Sequence, residues 1–129
     1  MSSILSPELH ALLESKLDTF EKLEVVLSLS AAGRPLTIGE LAHELQVGRD
    51  VLQRVADSVV DTGIIVRSDD EAFSLHSGRW DAAIAEAARL HASQPQLLMR
   101  AMTRIAMERI RGMSARTFAD AFRIRKKGD

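Results

Sequence analysis

The 129-residue chain has no cysteine and no tyrosine, only three prolines, and aromatic residues at 4%. Without cysteine, disulfides and thiolate metal sites are excluded, and a reducing compartment is compatible. Scarce aromatics oblige the core to be built from Leu, Val, Ile, Ala and Met, and leave almost nothing to stack on the bases of single-stranded RNA. No segment approaches the roughly 18 continuous apolar residues of a membrane span. The N-terminal MSSILSPELH lacks the basic region and long apolar run of a signal peptide. The expectation is a cytoplasmic protein with no membrane partner.

Catalytic chemistry is hard to find. The four histidines, His10, His43, His76 and His91, stand far apart, and no Gly-rich phosphate loop or nucleophile motif is present. Glu40-Leu41-Ala42-His43 has the Glu-x-x-His spacing of carboxylate-bridged metal sites, but the second copy such sites need is missing. Glu40 is better read as a helix cap and His43 as a surface residue. No enzyme, cofactor or metal is expected.

What is present is a division of charge. Residues 1–98 carry 8 Lys/Arg against 15 Asp/Glu, a net of -7, whereas residues 99–129 carry 9 against 3, a net of +6. An acidic body with a basic tail points to an anionic or acidic partner, or to a helix with a solvated arginine face.

Along the chain, Ser6-Pro7-Glu8 is a helix start, and Leu9, Leu12, Leu13, Leu17, Phe20, Leu23 and Leu27 recur at helical spacing. One long helix or two consecutive ones are expected over residues 1–30. Thr37, three residues before Glu40, forms a capping box that opens a short helix with Ile38, Leu41, Ala42 and Leu45 inward. After a turn at Gln46-Val47-Gly48, a helix over 49–62 should bury Leu52, Val55, Ala56 and Val59 and stop at Gly63. Ile64-Ile65-Val66-Arg67 and Ala72-Phe73-Ser74-Leu75 then read as the strands of a hairpin.

The stretch LTIGELAHELQVGRDVLQRVADSVVDTGIIV resembles the winged helix-turn-helix of bacterial transcription regulators of the MarR and related classes. The resemblance covers about residues 20–76. It rests on Glu40-Leu41-Ala42, Gly48, Arg54 and Gly63-Ile64-Ile65. The fold class expected is therefore mainly α: a three-helix core with a small β-hairpin wing over 31–78, preceded by the N-terminal helical segment 1–30. Helices over 79–122 follow, with a bend at Gly112-Met113-Ser114, and then a disordered basic tail over 123–129.

The resemblance implies a homodimeric DNA-binding transcription regulator that reads duplex DNA. Arg49, Gln53 and Arg54 are of types that bind base edges, and Arg67 flanks the wing. The alternative is a winged-helix adaptor that grips a protein partner with the same surface. It is favoured by Val51 and by the acids Asp50, Asp57, Asp61, Asp69, Asp70 and Glu71, which would face phosphates. Leu98, Met102, Ile105 and Ile110 form the apolar stripe of an expected dimerisation or interaction helix. Arg100, Arg104 and Arg111 are a second candidate anion surface.

Overall fold

The computed structural model describes residues 5–128, with side chains to residue 112. The described chain is mainly helical, with six helices and a three-stranded antiparallel sheet. The elements are α1 Pro7–Ser15, α2 Phe20–Ala32, β1 Leu36–Thr37, α3 Ile38–Leu45, α4 Arg49–Thr62, β2 Ile65–Arg67, β3 Ala72–Leu75, α5 Asp81–Ser93 and α6 Pro95–Gly128.

The N-terminal segment is two helices. Ser6 caps α1 by accepting from Leu9 N–H at 3.1 Å, and its hydroxyl donates to Glu86 of α5 at 2.5 Å. Lys16 and Leu17 both donate backbone N–H groups to Leu12 O, which closes α1 and turns Leu17 inward to full burial. Thr19 then opens α2 by accepting from Lys22 N–H at 3.2 Å. Helix α2 ends at Gly33, whose φ of +65° is a conformation that side chains other than glycine adopt with strain.

At α3 both halves of the capping box are made. Thr37 Oγ1 accepts from Glu40 N–H at 3.2 Å, and Glu40 Oε1 accepts from Thr37 N–H at 2.9 Å. Helix α4 has the expected bounds and buries Leu52, Ala56 and Val59, with Val55 partly buried beside them. Strands β2 and β3 pair as a hairpin, Ile65 opposite Leu75 and Arg67 opposite Phe73. The sheet order is β1-β3-β2, with Leu36 of β1 opposite Phe73. Strand β1 is not legible from the sequence: two residues carry no alternation, and their extended state comes from pairing with β3.

The core gathers around α2, which touches α3, α4, α5 and β3. Helix α6 packs on α1 and α5. Its backbone is helical without interruption through Gly112-Met113-Ser114, where a bend is expected, to Gly128; one glycine costs a helix only about 1 kcal/mol. The tail over 123–129 falls on residues whose side chains lie outside the described part.

Leu98 is fully buried and Ile105 is 5% exposed, both within this chain's own core, and Met102 packs against it. Three of the four residues of the expected dimerisation or interaction stripe thus lie in or against this chain's own core. The amphipathic period identifies an inward face but not whose core it enters. Leu98→Ala is expected to cost about 2–5 kcal/mol, a loss that urea titrations should find unchanged across protein concentrations.

Asp18 pins the middle of α6. Its carboxylate pairs with Lys22 at 2.8 Å and with Arg109 at 3.6 Å, and Arg109 also donates to Glu14 O at 2.5 Å. Partial burial pushes the Asp18 carboxyl up, but the hydrogen bond from Lys22 and the charges of Lys22 and Arg109 outweigh it and hold it below its ordinary value. A lowered folded pKa stabilises above the unfolded value and ceases to do so as pH falls through the folded one. Asp18→Asn should therefore cost about 0.5 kcal/mol at neutral pH, discounted for solvent screening. Thermal melts of variant and parent should converge below about pH 4.

Candidate functional site

Gly48 precedes α4 without a side-chain cap, so the first exposed turn begins with Arg49 and Asp50. With Leu52, Ala56 and Val59 inward, helical spacing puts Asp50, Arg54, Asp57 and Asp61 on the opposite face. That face has three acids and one base.

The five residues assigned to DNA or partner contact do not behave alike. Arg49, Val51 and Arg54 are exposed, Val51 at 47%. Arg49 lies over α3: its Nη2 would be 2.9 Å from a Cβ at Gly39, so only glycine there lets the guanidinium settle without displacement. Gln53 and Arg67, by contrast, are tied to one carboxylate. Gln53 Nε2 donates to Asp57 Oδ1 at 3.0 Å, and the Arg67 guanidinium pairs with the same oxygen. Arg67 also sits over the Phe73 ring, 5.3 Å from its centroid.

Asp57 therefore joins α4 to the hairpin through Gln53 and Arg67. Long-range pairing of this kind is invisible in the sequence, where Asp57 and Arg67 are ten residues apart. Beyond them the hairpin presents exposed Val66 and the turn acids Asp69, Asp70 and Glu71. Residues 49–71 together carry three arginines against six acids, a net of -3. Nearby, Arg79 stacks on Trp80 at 4.6 Å.

On α6, Arg100, Arg104 and Arg111 are exposed, with no ion pair among the described residues. Ile110 is 59% exposed, and so are two residues the sequence reading passed over, Met99 at 51% and Met107 at 50%. No signal separates them from Leu98 and Ile105 except the exact phase of the helix against its neighbours.

A second feature is a groove of about 860 Å³ between α2 and α3, reached by the end of α5. Its lining includes the apolar Leu27, Ala31 and Leu36 and the titratable Glu24, Glu44 and His91. Partial burial raises the Glu24 carboxyl above its ordinary value; the charge of Glu21 adds to this and His91 opposes it. Glu40, also at the groove, is held below its ordinary value by the Thr37 backbone hydrogen bond and by Arg34, as befits a cap.

Among the described residues no group of three His, Asp or Glu side chains is arranged to hold a metal ion, and no helix is long and apolar enough to cross a membrane.

If Asp57 restrains Gln53 and Arg67, Asp57→Ala should free both while costing at most about 1 kcal/mol for the exposed pair. Low-salt titration with duplex DNA should then show weak binding that the parent lacks, with a salt slope of about one unit for the released arginine.

No family model, curated protein or solved structure matches this chain.

Proposed function

We propose that residues 20–75 are a winged helix-turn-helix, with α4 in the recognition position and the β2–β3 hairpin as the wing. We further propose that the chain is a cytoplasmic regulatory protein that uses this surface to grip a basic protein partner. Support for the first part comes from the order helix, strand, helix, helix, strand, strand and from the three-stranded arrangement β1-β3-β2. Support for the second comes chiefly from one observation: Asp57 engages Gln53 and Arg67, leaving Arg54 on an outer face shared with Asp50 and Asp61.

The charge decides between the two uses of such a surface. Binding to duplex DNA draws most of its non-specific affinity from cations that displace phosphate counterions. A face with twice as many acids as bases opposes that gain. The same acids attract lysine- and arginine-rich protein surfaces and speed the encounter. Val51 and Val66, half-exposed beside them, supply apolar anchors of the kind that protein interfaces bury.

A second reading, a regulator on duplex DNA, is favoured by Arg49 and Arg54, which are exposed and unpaired among the described residues near the start of α4. One titration separates the two. The protein is offered fluorescent mixed duplex fragments and, separately, a lysine/arginine-rich helical peptide, at low and moderate salt. For the protein-binding reading the peptide binds, Asp50→Lys/Asp61→Lys abolishes that binding, Val51→Asp weakens it, and duplex stays unbound. Duplex binding that weakens with salt and is lost in Arg49→Ala/Arg54→Ala would overturn it in favour of DNA.

A further inference from the structure

Helix α6 shows solvent a face that its own chain leaves uncovered. Met99, Met107 and Ile110 are each at least half exposed, and Arg100, Arg104 and Arg111 run beside them. Apolar side chains in this number on one helix face are what interfaces bury. Thirty-four residues at about 1.5 Å each make α6 roughly 51 Å long. It is a long rod for a chain of this size.

The groove between α2 and α3 has the complementary character. Leu27, Ala31 and Leu36 give it apolar lining, and Glu24 and Glu44 have no ion-pair partner among the described residues. Arg34, the one arginine lining it, is already engaged by Glu40 at 3.4 Å. Glu24 is half-buried; burial and the neighbouring Glu21 charge raise its carboxyl above its ordinary value, a penalty that the charge of an incoming arginine would offset.

The chain's own α6 does not fill this groove. It is held on α1 and α5, with Arg109 on Glu14 and Asp18, and none of its described residues lines the groove. Two α6 helices laid antiparallel on this face would bring their arginine rows side by side, and like charges juxtaposed across an interface oppose association. A basic, apolar helix face is matched instead by an acidic, apolar groove.

We propose that the chain self-associates by seating the Met99, Met107 and Ile110 face of one copy's α6 in the α2–α3 groove of a second copy, with the flanking arginines against Glu24 and Glu44. A two-fold arrangement makes the contact twice, each copy giving its helix and receiving its partner's. Neither α4 nor the hairpin lines the groove, although Arg49 lies against its lining residue Gly39, and this inference does not rest on the reading of the α4 surface.

Sedimentation equilibrium of the full chain tests it, with circular dichroism confirming that each variant is folded. The parent dimerises at low salt, with a dissociation constant that rises about tenfold or more at high salt as the charged rim is screened. Glu24→Lys/Glu44→Lys is monomeric, as is Arg100→Glu/Arg104→Glu/Arg111→Glu, and the chain carrying both sets dimerises again. A parent that stays monomeric at low salt overturns the proposal. So does a dimer that survives the groove reversal but is lost in Met107→Asp/Ile110→Asp, because that result assigns the contact to paired α6 helices.

Discussion

The structure depends on the burial of α2. Its Leu23, Val25, Val26, Leu27 and Leu29 are all buried, so apolar side chains point from more than one side of the same helix. Such a helix cannot lie on a surface with one face wet, and it is stable only when elements close over it from several directions. Helices α3 and α4 and strand β3 cover it from one side, and α5 covers it from another. Helix α1, fastened to α5 through Ser6 and Glu86, then completes a platform for α6. The fully buried leucines of α1 belong to this same core and would be exposed without that platform.

This arrangement separates the charges. Most of the acids lie on elements gathered around α2, while the arginines of α6 lie along a rod supported on α1 and α5. Because the rod is fixed there, the two signs do not neutralise each other broadly within the chain; the described exception is Arg109 with Asp18. A net charge near zero thus coexists with two strongly charged faces, an arrangement that favours association with partners of stated sign.

Much of the architecture was legible in the sequence because its signals are local. Ser6-Pro7, the Thr37 and Glu40 box, and Gly63 with its φ of +84° act within one helical turn and mark their elements wherever those elements end up. The split between α1 and α2 was left open by the leucine spacing, which continues through Leu17. It is set by the Leu12 carbonyl accepting two N–H groups and by the Thr19 cap. Strand β1 and the uninterrupted course of α6 were not legible. The first exists through a partner 37 positions away, and the second overrides a glycine whose intrinsic cost is small.

The candidate sites divide in the same way. From the sequence came the acidic character of α4 and the hairpin turn and the basic character of the last helix, because residue types and their helical spacing suffice for those statements. Only the tertiary structure decided that Asp57 holds both Gln53 and Arg67, that Leu98 and Ile105 are inside while Met99, Met107 and Ile110 are outside, and that Glu24, Glu44 and His91 meet at one groove. Each of these is a relation between elements rather than a property of one. A helical period tells which residues share a face, and the packing of neighbouring elements selects the phase at which that face is turned inward.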